Sequence, residues 1–142
     1  MSDITGGCAC GKVRFKITAP LMGCGVCHCL DCQKASGGGA NYVAIAPRGS
    51  FEVTEGKPTI YTRKGDSGGE VGRAFCSTCG TPLFSILDPM IPVVPVRVGA
   101  LDDGSAIAPT LHMFTDSAPS WHLMHEGIPR FPKAPPAGGP PS

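Results

Sequence analysis

The stretch Cys27-His28-Cys29-Leu30-Asp31-Cys32 places three thiols within six residues. Two further groups flank it, a Cys-x-Cys pair at Cys8 and Cys10 and a Cys-x-x-Cys pair at Cys76 and Cys79. The chain has 142 residues and eight cysteines, and seven of the eight fall into these groups. Closely spaced cysteines of this kind are typical zinc ligands. The sequence therefore predicts a fold organised around metal-binding thiols.

Composition narrows the class of protein and its partners. Hydrophobic residues make up 42% of the chain, and its length suits one domain with its own core. The net charge of +1 gives no electrostatic case for a nucleic-acid partner. No apolar run approaches the roughly 18–20 residues of a membrane span, so we expect no membrane association.

The first residues lack the pattern of a secretion signal. We therefore expect a cytoplasmic protein. Thiols stay reduced in that compartment, so clustered cysteines favour metal binding over a disulfide framework.

Side-chain periodicity predicts short strands and one helix. In segment 12–18, Val13, Phe15 and Ile17 alternate with polar residues, as in a half-buried strand. Segment 30–36, directly after the second central cysteine, predicts a helix of about two turns that ends at a run of glycines.

These patterns predict a mainly β, single-domain fold of short antiparallel strands with one short helix after the central cysteines. The zinc-binding domain is expected to span residues 1–131. Residues 132–142 are rich in proline and glycine, and we expect them to form a flexible tail.

The outer cysteines (Cys8, Cys10, Cys76 and Cys79) provide four thiols, the number that a structural zinc site requires. A closed site of this kind contributes folding free energy and no chemistry. We expect the outer cysteines to join the first and last thirds of the domain through one zinc ion.

The central cysteines (Cys27, Cys29 and Cys32) allow two assignments for a second zinc ion. They can bind it alone and leave one coordination position open. Alternatively, Cys24 supplies a fourth sulfur, because Cys24 and Cys27 are themselves spaced as Cys-x-x-Cys. Spacing alone leaves both assignments open.

The chemistry of the open assignment points to a thiol substrate. A zinc ion held by three thiolates has a formal charge of −1 and is a poor Lewis acid for activating water. It is better suited to binding an incoming thiol as a thiolate nucleophile.

The cysteine motifs resemble those of the glutathione-dependent formaldehyde-activating enzyme family, the group that also includes centromere protein V. The resemblance covers about Ile4 to Pro132. Its main segments are GCACGKVRF at 7–15, CHCLDCQKASG at 27–37 and FCSTCGTPL at 75–83.

The resemblance implies a β-rich fold related to the Mss4-like zinc proteins and a catalytic domain. It also implies two Zn²⁺ ions, a structural one on the outer cysteines and a catalytic one on the central cysteines. The family reaction is that of a carbon–sulfur lyase which joins glutathione to formaldehyde, so the implied partner is a small glutathione-like thiol. Cys24 matches no ligand of the family.

The four histidines are expected to lie outside the metal sites. His28 lies between two expected ligands, and we expect its side chain to point away from the metal. His112, His122 and His125 are scattered in the sequence and match no catalytic motif. Surface or packing roles are therefore expected for these three.

Several polar residues have two possible roles, one in substrate binding and one in the structure or at the surface. Gln33 and Lys34 follow the central cysteines and can contact a substrate or face solvent. Arg73 and Arg97 lie in strand-like segments and can pair with a substrate or with acidic residues, of which Asp66 and Asp102 are candidates.

Two alternatives to an enzyme remain open at this point. One is a non-catalytic zinc module that binds a protein partner, which requires a closed second site. The other is a redox or metal-handling protein that uses Cys24 together with Cys27.

Overall fold

The computed structural model describes residues 2–65, 68–105 and 107–135, and these residues form a mainly β fold with one α-helix. This confirms the predicted fold class. The elements are β1 (Ile4–Gly7), β2 (Arg14–Ile17), β3 (Cys24–Cys27), α1 (Leu30–Ser36), β4 (Asn41–Pro47), β5 (Phe51–Glu55), β6 (Thr59–Lys64), β7 (Glu70–Phe75), β8 (Pro82–Ile86), β9 (Val93–Arg97) and β10 (Leu111–Met113), with 3₁₀ turns at Val98–Ala100 and Thr115–Ser117.

The smaller sheet has three strands in the order β1-β2-β5. Both of its strand pairs are antiparallel. Val13, Phe15 and Ile17 are buried, as their alternation with polar residues predicts. One face of this sheet therefore contributes Phe15 and Ile17 to the hydrophobic core.

The larger sheet has seven strands in the order β10-β3-β4-β9-β8-β7-β6. Its pairs are antiparallel except for β10, which runs parallel to β3. We call the side that meets the small sheet the core face; its buried residues include Ala44, Ala46, Ala74, Phe84 and Val96.

The opposite side of the larger sheet is called the site face, and strand register defines it. Cys27 pairs with Asn41, and Val43 pairs with Arg97. Asn41 and Val43 lie two residues apart on β4, so their side chains share a face. Cys27, Asn41 and Arg97 therefore project on the same side of the sheet, away from the core.

Aromatic packing joins the two sheets. The ring of Phe51 lies 5.2 Å from that of Phe15 and 4.6 Å from that of Phe84, measured between centroids. Phe15 and Phe51 belong to the small sheet and Phe84 to the large one, so these contacts bury apolar surface across the interface.

The expected tail, 132–142, lies partly outside the described residues, which end at 135. Its first residues make backbone hydrogen bonds: the Phe114 N–H donates to the Lys133 carbonyl at 3.1 Å and the Asp116 N–H donates to the Pro132 carbonyl at 3.3 Å. No helix in the described parts of the chain is long and apolar enough to cross a membrane.

Gly56, in the turn after β5, is expected to be intolerant of a side chain. It has φ +76°, and a Cβ atom would lie 2.1 Å from the Lys12 carbonyl oxygen, next to the outer cysteines. Gly49 has φ +94° and open space around it. We expect Gly49→Ala to cost about 1 kcal/mol of unfolding free energy and Gly56→Ala about 3 kcal/mol, because the second adds a backbone clash to the φ strain.

Urea unfolding of the two variants checks this expectation. Equal losses for both would show that the contact with Lys12 does not constrain the turn.

Candidate metal centres

The outer cysteines converge in space although they are far apart in sequence. Their four sulfur atoms all lie within 4.8 Å of one another. The Cys8–Cys10 and Cys10–Cys76 Sγ distances are 3.6 and 3.8 Å. A tetrahedral zinc ion with Zn–S bonds of about 2.3 Å requires sulfur separations of about 3.8 Å. The donor set therefore fits a zinc ion.

Two turns position these thiols. Cys8 and Cys10 lie between β1 and β2, and Cys76 and Cys79 lie between β7 and β8. The Thr81 hydroxyl links the two turns, because it accepts a hydrogen bond from the Ala9 N–H at 3.1 Å and contacts the Cys79 sulfur at 3.2 Å.

Local hydrogen bonds prepare two of the outer cysteines as thiolates. The Val13 N–H donates to the Cys8 sulfur at 3.2 Å, and this bond is the main cause of the lowered pKa of Cys8. Hydrogen bonds from the side chain and backbone of Thr81 lower the pKa of Cys79 to about 5. Thiolates are the form that binds metal.

The central cysteines form the second group, with sulfur atoms also within 4.8 Å of one another. Cys27 ends β3, Cys29 caps the N-terminus of α1, and Cys32 lies in the first turn of that helix. The Cys32 N–H donates to the Cys29 sulfur at 3.3 Å. The capping bond therefore fixes two of the three thiols relative to each other.

Hydrogen bonding among the central cysteines favours one thiolate. Hydrogen bonds from Cys27 and Cys29 lower the pKa of Cys32 to about 2. The same contacts raise the pKa of Cys27. The group is buried, with the three residues 6–7% exposed, and a metal cation would replace the shared protons.

Cys24 lies on the other side of the sheet. It pairs with Ala44, a core-face residue, and it lies three positions before Cys27 along β3, so the two side chains project to opposite faces. Its sulfur does not join the central group. Burial raises its pKa to about 11, as expected for a protonated core thiol. This geometry fits the assignment in which three cysteines leave a position open.

The same geometry weakens the redox alternative. A disulfide between Cys24 and Cys27 would have to cross the sheet. All eight cysteines are free thiols in the described structure.

A short segment covers the central cysteines. Met113 and Phe114 are half-buried and pack against them. Phe114 has φ +56°, and it is the only non-glycine residue with positive φ in the described part of the chain. Such strain is common at functional sites, and here it coincides with the cover of the central cysteines.

The acidic residues considered as arginine partners behave differently from the expectation. Asp102 forms an ion pair with Arg14, with 2.9 Å between Nη1 and Oδ1, and accepts a hydrogen bond from Thr5 at 2.7 Å. Asp102 is therefore not the partner of Arg97. Asp66 lies outside the described residues.

Four histidines that are scattered in the sequence meet in the structure. His28 and His112 are fully buried, and His28 Nε2 lies 2.9 Å from His112 Nδ1. The His122 ring meets that of His28 edge-on at 4.7 Å. His125 stacks on His112 with 5.6 Å between ring centroids. The expected packing role thus takes the form of a histidine cluster.

Burial favours the neutral form of the two innermost histidines, His28 and His112. Burial, with smaller contributions from His122 and His112, lowers the pKa of His28 to about 4. Burial also lowers the pKa of His112. His28 makes its ring contacts with histidines and does not join the sulfur group, so its ring is directed away from the central cysteines.

Replacing Cys24 tests its separation from the metal sites. We expect Cys24→Ala to retain the zinc content of the wild type, because its sulfur lies on the core face. Cys27→Ala should lose one zinc ion per chain. The zinc-to-protein ratio, measured by elemental analysis, checks both, and loss of zinc from Cys24→Ala would contradict the assignment.

The histidine cluster predicts an acid-sensitive stability. The unfolded pKa of histidine is about 6.5, and the folded pKa of His112 is lower. The unfolded chain therefore binds more protons as pH falls below about 6.5, and stability falls with it. The dependence of the unfolding free energy on pH reports the number of protons taken up on unfolding. We expect His112→Gln to reduce this slope by the equivalent of up to one proton.

Urea unfolding at pH 7.5 and 5.5, with zinc content verified, measures the slope. A His112→Gln protein with an unchanged slope would refute the interpretation.

Comparison with known proteins agrees with the fold and the cysteine pattern. A crystal structure of a Rhodobacter sphaeroides protein matches with a TM-score of 0.58 and 20% identity, over 89% of this chain and 98% of that chain. At this identity the match shows a shared fold. The family model described as glutathione-dependent formaldehyde-activating enzyme matches residues 3–117. The chain therefore belongs to the glutathione-dependent formaldehyde-activating enzyme family.

Proposed function

We propose that this protein is a zinc-dependent carbon–sulfur lyase that joins a glutathione-like thiol to formaldehyde or a related aldehyde. The observation that carries the proposal is the group of three converging sulfur atoms without Cys24. A three-sulfur donor set leaves one tetrahedral position for a ligand. Family membership supports the reaction class.

The two cysteine groups take different roles in this proposal. The outer cysteines would hold a structural Zn²⁺ ion, and the central cysteines (Cys27, Cys29 and Cys32) would hold a catalytic one. When bound there, zinc lowers the pKa of a substrate thiol and keeps it as a thiolate. The catalytic unit would span residues 1–131, and the reducing cytoplasm would suit its free thiols.

The reaction balances without a further reactant. The substrate thiol loses its proton, and its sulfur forms a bond to the carbonyl carbon. The electron pair of the carbonyl π bond moves to oxygen, which takes up a proton. The product is a hemithioacetal, which for formaldehyde is the S-hydroxymethyl adduct, and the reverse reaction releases the aldehyde and the thiol.

The protein contributes orientation and exclusion of water. The helix cap fixes Cys29 and Cys32, and Met113 and Phe114 cover the group. Gln33 anchors the start of α1, because its side chain donates to the carbonyls of His28 and Ser117 at 2.9 and 2.8 Å. Gln33 therefore has a structural role at the start of α1.

Turnover of glutathione and formaldehyde tests the proposal. Exchange between free formaldehyde and its glutathione adduct is followed by NMR with ¹³C-formaldehyde. We expect zinc-loaded protein to accelerate exchange above the spontaneous rate, and Cys32→Ala to return it to that rate because a zinc ligand is lost.

Cys24→Ala is the matched control, since it removes a buried thiol outside the sulfur group. It should retain the activity of the wild type. Absence of acceleration with any aldehyde, together with no effect of glutathione on the zinc site, would exclude this function and leave the zinc module as the alternative.

A further inference from the structure

Arg97 is a buried cation next to the central cysteines. It is 7% exposed and lies at the end of β9. Strand register places it on the site face with Cys27, because Asn41 pairs with Cys27 and Val43, two residues along β4, pairs with Arg97. Burying an unpaired charge is costly, so a buried guanidinium requires anionic partners nearby.

The described residues provide Arg97 with no carboxylate partner. The ion pairs found there involve Arg14, Lys16, Arg63 and Lys133. The Nε atom of Arg97 is buried and lacks a hydrogen-bond acceptor within the described part of the chain. Thiolates of the central cysteines can balance the charge of Arg97, but the Nε–H donor remains available.

Asn41 provides a second available donor on the same face. It is 7% exposed, it pairs with Cys27 across β3 and β4, and its Nδ2 atom has no acceptor among the described residues. Asn41 thus lies between Cys27 and Arg97 with a free N–H.

Arg73 adds a further positive charge. It pairs with Ser85, and Phe84 pairs with the core-face residue Val96, so alternation places Arg73 on the site face with Arg97. With zinc bound, three thiolates leave −1 and a substrate thiolate makes −2, which the two arginines would balance.

We propose that Arg97 and Asn41 form an oxyanion site, which binds the oxygen of the carbonyl substrate while the carbon–sulfur bond forms. The proposal rests on the function proposed above. Two preorganised buried donors next to the sulfur group are suited to stabilise negative charge that develops on an oxygen.

The weak Lewis acidity of a three-thiolate zinc strengthens this inference. Such a metal polarises a carbonyl poorly, so the protein must supply the electrophilic assistance. The N–H donors of Arg97 and Asn41 lie beside the sulfur group. A substrate sulfur bound there would bring its nearest neighbouring atoms close to these donors. The carboxylates of a glutathione-like thiol are several bonds from its sulfur, so they fit this position less well.

A comparison of two small sulfur ligands distinguishes hydrogen bonding at the oxyanion site from a general effect of charge on thiol binding. Thioacetate carries an oxygen on the carbon that is bonded to sulfur, as the reaction intermediate does, whereas ethanethiol has no oxygen. Their affinities for zinc-loaded wild type and variants are measured by calorimetry. We expect Arg97→Met and Asn41→Leu each to weaken thioacetate about 10-fold, because a hydrogen bond to a charged group is lost. Ethanethiol should change less than about 3-fold.

Arg48→Gln is the matched arginine control, because the Arg48 guanidinium binds backbone carbonyls of Leu87, Asp88 and Ile91, beyond the opposite end of β4. It should leave both affinities unchanged. Equal weakening of both thiols by Arg97→Met would overturn the proposal, since it would show a charge effect alone. Unchanged thioacetate affinity in both site variants would overturn it too.

Folding and function are monitored separately. Should Arg97→Met fail to fold, Arg97→Lys keeps the charge and carries the same comparison, with weakened thioacetate and preserved ethanethiol as the expected result. No aldehyde turnover is involved in these measurements. A failed turnover assay with selective loss of thioacetate would reject the proposed reaction but retain the oxyanion site, and the reverse pattern would reject only the site.

Discussion

The structure depends on the convergence of the outer cysteines, which join the two sheets at one point. The first pair leaves the turn of the small sheet, and the second pair leaves a turn of the large sheet. A metal site that joins distant parts of a chain contributes folding free energy. Here four thiols at zinc-binding distances, supported by Thr81, fix β1 and β2 against β7 and β8. The large sheet is thereby held in the position from which it presents its site face.

The alternation of side chains along each strand then separates residues that pack in the core from residues that form the candidate metal site. Along β3, Cys24 projects with the core and Cys27 projects with the site, although the same two residues match a metal-binding spacing. The pairing of the intervening residues, Gly25 and Val26, with β4 keeps the segment extended. An extended strand cannot turn both thiols toward one ion. A local hydrogen-bond pattern therefore determines whether the second cysteine group has three sulfurs or four.

The sequence was sufficient for some of these features and insufficient for others. The spacing of the cysteines indicated both sulfur groups, and the alternation around Phe15 indicated a strand of the core. No sequence pattern indicated the histidine cluster. His28 and His112 are 84 positions apart, and the parallel pairing of β10 with β3 brings them together. The proximity of Asn41 and Arg97 likewise depends on the pairing of β4 with β9. Long-range strand pairing is the information that residue spacing lacks.

The location of the arginines follows from the charge of the central cysteines. A metal site built from thiolates is anionic, and in the proposed reaction it becomes more so when a thiolate substrate binds. In a buried setting that charge needs compensation, and water is too scarce to provide it. Strands β7 and β9 supply it with Arg73 and Arg97, and β4 adds the neutral donor Asn41. Electron-rich sulfur ligands favour capture of a thiol but weaken activation of a carbonyl. A site that uses them therefore requires donors from the surrounding sheet to complete the chemistry.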